Sequence, residues 1–160
     1  MYENSFEYWR ELAIRDAEEA TRVWLERLDI FSPDVRKAVF AHLPSRSALM
    51  RGFAAAMTKK ERPLAGAPVV LKDLYDIINQ PTGAGSRFLA EMRRPPRTSS
   101  AAYMELMAKG AVYAGKTQLN EFAYGLTGRN DHFGHCPHPF VEEALTGGSS
   151  SGSAFAVAAG

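Results

Sequence analysis

From Thr146 the chain reads Thr-Gly-Gly-Ser-Ser-Ser-Gly-Ser-Ala and then Phe155-Ala156-Val157-Ala158-Ala159. The first half has the composition of a flexible linker, but a linker does not run without a break into an apolar, helix-forming segment. The loop is therefore part of the fold. Its glycines admit backbone angles and close approaches that a Cβ forbids, and its hydroxyls can carry protons. Ser153 is placed to cap the helix that follows. Ala154 to Ala159 contains no polar residue, and a helix that is apolar all round asks for cover on every side.

A second constraint lies in Pro68-Val69-Val70-Leu71-Lys72-Asp73. The short, nearly continuous apolar run predicts a strand buried on both faces, with a lysine at its end. Side chains alternate along a strand, so Lys72 and Asp73 point to opposite faces and do not neutralise each other directly. Two readings stand: a lysine reaching water from the sheet edge, or an amine held neutral by burial and able to accept a proton.

Around these two segments the pattern is α/β. Asn4 and Glu7 have capping-box spacing. Phe6, Trp9, Ala13, Ala17, Ala20, Trp24 and Leu28 then recur at steps of three and four, which predicts one long helix. Ser32-Pro33-Asp34 opens a second helix, with Val35, Ala38, Val39 and Leu43 on its apolar face and Pro44 as its stop. A third is predicted over 47–57. The charged stretch Lys59-Lys60-Glu61-Arg62-Pro63 separates a helical leader, 1–60, from 61–160, where strand and helix alternate. There Gln80 to Ser86 and Arg93 to Arg97 read as turn-rich loops. A helix begins at Ser99 or Ser100 and stops at Gly110, and Ala111-Val112-Tyr113-Ala114 reads as a second strand. At 160 residues this fits one domain built as a helical layer beside the first part of a mixed sheet.

Composition excludes several classes. A formal charge of +1 gives no electrostatic reason for nucleic acid or an anionic membrane as a direct partner. No apolar run approaches the ~18 residues of a membrane span. Glu3, Glu7 and Glu11 stand where a signal peptide would be basic and then apolar. Cys136, the single cysteine, suits a reducing compartment, so the cytoplasm is expected.

Two other motifs invite chemistry. Gly110 to Thr117 has the spacing of a phosphate-binding loop, G-x-x-x-x-G-K-[ST], and nucleotide binding is the reading it offers. That motif needs a strand leading into its first glycine, whereas here a helix leads in and the middle residues favour a strand. His132-Phe133-Gly134-His135-Cys136-Pro137-His138 holds three histidines and a cysteine. They are crowded into one loop with no second pair to close a zinc site, and a loop covering a pocket is the preferred reading. The third constellation is Lys72 with the serine loop. A serine hydroxyl needs a base to take its proton, and a neutral lysine can serve.

From Pro63 onward the sequence resembles the amidase signature family of serine amide hydrolases. The resemblance rests on four ordered segments: Pro63 to Asp73, Thr82-Gly83-Ala84-Gly85-Ser86, Gly110 to Ala123, and Gly147 to Ala154, with Ser151 where a glycine is usual. It implies hydrolysis of a carboxamide to a carboxylate and ammonia or an amine through a Ser–cis-Ser–Lys relay. In that relay Lys72 matches the catalytic lysine and Ser149 the bridging serine, or Ser150 if the register slips by one. Ala123, Tyr124 and Gly148 match the segments that line the acyl pocket. The resemblance implies no metal and no organic cofactor. The family's acylating serine lies in a further glycine-rich segment, expected beyond Gly160, so residues 1–160 alone are expected to be inactive and to associate through an incomplete sheet. The alternatives are an inactive fragment, or the subunit of an amidotransferase that supplies ammonia to a charged transfer RNA.

Overall fold

The structure, a computed structural model, describes residues 5–160. Its chain runs α1 (Phe6–Arg15), α2 (Ala17–Asp29), α3 (Pro33–Val39), β1 (Phe40–His42), α4 (Arg46–Met57), β2 (Pro68–Lys72), α5 (Arg87–Met92), α6 (Ala101–Ala108), β3 (Val112–Thr117) and α7 (Ser151–Ala159). The sheet has the order β1-β3-β2, with β2 parallel to β3 and β1 antiparallel to it.

The first helix of the sequence reading is two helices. Asp16, with φ −153° and ψ 101°, closes α1, and its carboxylate accepts the Glu19 N–H at 3.0 Å to open α2. An aspartate cap turns the chain while the apolar stripe continues in phase. Asn4, the expected cap, lies outside the described residues; Ser5 caps α1, its Oγ accepting the Tyr8 N–H at 3.1 Å.

Ser32 caps α3 with Pro33 in its first turn, as the sequence predicts. That helix does not reach Pro44, however. It ends at Val39, and Phe40–His42 leaves as β1, pairing Phe40 with Thr117. Sheet pairing here overrides the helical pattern. Ser45 caps α4 and Ser100 caps α6. α5 is a short helix inside a stretch the sequence left unassigned. Ser153 is not a cap: α7 starts at Ser151 behind Ser150, and Ser153 sits in its first turn.

One core joins the leader to the sheet. Trp9, Leu12, Ala13, Ala17 and Ala20 pack with Leu49 and Phe53 of α4 and with Val112 and Ala114 of β3. Trp9 and Phe53 stack with ring centroids 6.1 Å apart. A smaller cluster sets Phe155 of α7 against Val39 and Cys136. β3 runs to Thr117, further than the predicted Ala111–Ala114, and carries an irregularity opposite Val69 and Val70. Gly115 sits there at φ +145°, and a Cβ on it would stand 2.7 Å from the His42 carbonyl oxygen, so β1 could not close on β3 with a larger residue.

Among the described residues β2 is an edge strand. An apolar cleft of about 350 Å³ lies beside it, lined by Trp9, Trp24, Val69, Val70, Ala156 and Val157. Phe155 of α7 is buried while Val157 is 81% exposed. No helix among the described residues is long and apolar enough to cross a membrane.

Candidate active site

Parallel pairing places Lys72 beside Thr117, so their side chains share a face of the sheet. α7 and the turn leading into it cover that face. Lys72 Nζ lies 2.6 Å from Ser149 Oγ, and Thr117 Oγ1 lies 2.7 Å from Ser153 Oγ. The peptide bond between Gly148 and Ser149 is cis. Ser149 is half-buried, whereas Ser150 is exposed and is the N-cap residue of α7.

The turn is fastened to the chain that continues β3. The Asn120 N–H donates to the Ser149 carbonyl at 3.2 Å, and the Gly152 N–H donates to the Gln118 carbonyl at 3.1 Å. The fit at Gly152 is tight: a Cβ there would run into the Val39 carbonyl oxygen and stand 2.9 Å from Gln118 N and O. These neighbours are backbone atoms and cannot swing aside. Gly152→Ala is therefore expected to destabilise the fold by about 1–3 kcal/mol or more, read as a lower midpoint in urea unfolding.

The opposite face of the same strand ends carries a second cluster. Asp73 and Lys116 form an ion pair in which the two side chains are 7% and 0% exposed. Lys116 Nζ also donates to the Pro81 carbonyl at 3.1 Å and to Thr82 Oγ1 at 3.0 Å. Asp73 Oδ2 accepts the Gly83 N–H at 2.9 Å, while its backbone N–H donates to the Thr117 carbonyl and its carbonyl accepts the Ala84 N–H. Three acceptors around one ammonium satisfy a charge that would otherwise be costly to bury.

This arrangement answers the question posed by adjacent Lys72 and Asp73. Each has its own partner, on its own face. Burial pushes the Lys72 ammonium below the ordinary lysine range. The phosphate-loop reading fails on the same observation, because Gly110 to Thr117 is the turn and strand of β3 and its lysine is fully enclosed.

Beside the serine turn, Asn120 Oδ1 accepts the Gly128 N–H at 3.2 Å and Asn120 Nδ2 donates to the Arg129 carbonyl at 2.9 Å. Asn130 Nδ2 donates to the carbonyls of Gly85 and Leu119, joining two loops. Phe122 and Ala123 adopt φ of 53° and 58° in the short turn Glu121–Ala123. The N–H groups of Ala123 and Tyr124 are spent inside that turn on the carbonyls of Asn120 and Glu121, and Tyr124 is 92% exposed. Gly148 is exposed, and a Cβ on it would run into Asn120 Oδ1. The sequence reading missed Asn120, Asn130 and the Asp73–Lys116 pair.

The histidine loop does not converge. His132 Nε2 meets Glu121 at 3.0 Å, and His135 Nδ1 accepts the Asn130 N–H. His138 Nδ1 accepts the N–H groups of Phe140 and Val141. Among the described residues no group of three His, Cys, Asp or Glu could hold a metal ion.

Comparison with known proteins matches residues 19–160 to the family model named Amidase. The chain belongs to the amidase family. It is 37% identical over 145 residues to a glutamyl-tRNA(Gln) amidotransferase subunit of Acidothermus cellulolyticus, covering 89% of this chain and 28% of that protein. It is 37% identical over 148 residues to the corresponding protein of Chloroflexus aurantiacus, covering 90% of this chain and 30% of that one. Among solved structures, the allophanate hydrolase of Kluyveromyces lactis superposes with a TM-score of 0.81 at 28% identity, covering 98% of this amidase chain and 26% of the hydrolase. The chain thus spans less than a third of the length of these curated relatives. Its α/β architecture is that of its amidase-signature neighbours among solved structures.

Proposed function

We propose that residues 1–160 hold the proton relay of a serine amide hydrolase that cleaves the carbon–nitrogen bond of a carboxamide. The contact of 2.6 Å between Lys72 Nζ and Ser149 Oγ carries this reading. Lys72, in its neutral form, accepts the proton of the Ser149 hydroxyl, and Ser149 accepts one from an acylating serine that residues 1–160 do not supply. That serine's oxygen bonds to the carbonyl carbon. The C–N bond breaks as the relay returns its proton to the leaving nitrogen, releasing ammonia or an amine. Water, deprotonated by the same route, then opens the ester and leaves a carboxylate. Ala123, Tyr124 and Gly148 would face the acyl group.

A second reading is one component of an amidotransferase, favoured by 37% identity to such proteins versus 28% to the allophanate hydrolase. In it the ammonia is passed on within a multi-component assembly. In either reading the β2 edge and the exposed side of α7 are surfaces for association, and the reduced thiol of Cys136 suits the cytoplasm.

A fluorophosphonate probe tests the division of labour. Incubated with residues 1–160 it is expected to leave every serine unlabelled at stoichiometric level, because a bridging serine passes protons and does not attack. Stoichiometric labelling of Ser149, Ser150 or any other serine of this chain would refute the assignment.

A further inference from the structure

The sequence sets a carboxylate directly after the lysine on which the relay depends. A free carboxylate at Asp73 would hold the neighbouring amine in its charged form, since an opposite charge nearby favours the ammonium. The fold gives that carboxylate a lysine of its own. Lys116 comes from the adjacent strand, is fully enclosed, and pairs with Asp73 on the face away from Ser149. Thr117, the next residue, points to the Lys72 face and meets Ser153. Alternation along the two parallel strands therefore puts Lys72 and Thr117 on one face, where the turn before α7 brings Ser149 to Lys72, and Asp73 and Lys116 together on the other.

We infer that Lys116 is a positioning residue for the relay: it neutralises the Asp73 carboxylate and clamps residue 73, so that Lys72 is left with a serine hydroxyl as its partner. The clamp is visible in the polar contacts of residue 73, whose N–H, carbonyl, and both carboxylate oxygens are each engaged by a different group. Few other charges compete. α7 and the turn 146–150 carry no ionisable side chain; β3 carries Tyr113 and Lys116; the chain after β2 carries Asp73, Tyr75 and Asp76, of which Asp76 pairs with Arg93 at 3.1 Å. The inference rests on the reading of Lys72 as the relay base, and the test separates the two.

The experiment follows the ¹³Cε resonance of Lys72 with pH in the 160-residue chain, in the wild type, K116M, D73N and D73N/K116M. K116M bares a carboxylate and is expected to raise the Lys72 midpoint by about one pH unit. D73N bares the Lys116 ammonium, which keeps Pro81 and Thr82 as acceptors, and is expected to lower it by a similar amount. D73N/K116M removes both charges and is expected to restore the wild-type midpoint. A purely structural role for Lys116 would change melting temperatures and leave the Lys72 midpoint in place. Equal midpoints in K116M and wild type would overturn the inference. If K116M does not fold, equal midpoints in D73N and wild type would do the same. A wild-type midpoint at the ordinary lysine value would instead sink the relay reading itself.

Discussion

Lys116→Met is expected to cost about 3–5 kcal/mol of folding stability, enough to consume much of the margin of a domain this size. The methionine roughly fills the space of the lysine stem, so the loss is not a cavity effect. It arises because Asp73, 5% exposed, would keep only the Gly83 N–H as a side-chain partner while holding a charge that neither water nor an ammonium can reach. The substitution also releases the Pro81 carbonyl and the Thr82 hydroxyl, so the loop from Ile77 to Ser86 keeps the Tyr113–Gln80 hydrogen bond to β3 but loses both contacts to Lys116. Urea unfolding measures the cost. The double variant D73N/K116M tests its origin, because removing both charges of a buried pair is far milder than orphaning one. Recovery of most of the lost stability in the double variant is expected. A double variant as unstable as the single would place the loss in packing instead.

That pair marks the limit of what the residues reveal in order. The segments holding Lys72 and Ser149 drew attention through their own chemical oddity, a lysine ending a buried strand and serines between glycines ahead of an apolar helix, but the choice of Ser149 as the lysine's partner came from the resemblance to the amidase signature family. The Asp73–Lys116 pair was not legible, because it exists only once β3 is laid parallel to β2 in one register. Read locally, Lys116 follows a glycine in a pattern that suggests phosphate, and nothing in Gly115-Lys116-Thr117 announces burial. The helices of the leader were mostly recoverable from apolar spacing and serine caps. The break at Asp16 escaped because the stripe from Phe6 to Leu28 continues across it without a change of phase. β1 escaped because three residues, Phe40-Ala41-His42, carry no alternation of their own and become a strand only through their partner. Asn120 and Asn130 are invisible for a similar reason: their roles are hydrogen bonds to carbonyls and N–H groups brought near by loops.

Lys72→Met is expected to lower kcat/KM for a carboxamide by about 10²–10⁴-fold, the usual contribution of a positioned acid–base group, when assayed with the acylating serine present. Methionine preserves the apolar stem but cannot accept a proton, and arginine would fail equally because its guanidinium stays charged. The same substitution should not destabilise the fold. Burial holds the Lys72 amine below its unfolded value, so between the two values the unfolded chain binds more protons than the folded one. Stability contributed at this position is therefore present above the unfolded lysine value and lost as pH falls through the folded one. At neutral pH the wild type carries the unfavourable burial of a charge-seeking group, and K72M does not. Urea midpoints at pH 7 should accordingly be equal or higher in K72M, and the gap should narrow as pH rises toward the ordinary lysine range. The wild-type rate should follow the neutral amine, rising with pH and levelling off below that range. Loss of activity together with retained stability is the signature of a group kept for chemistry and not for folding; a K72M enzyme within tenfold of wild type would assign the proton to another acceptor.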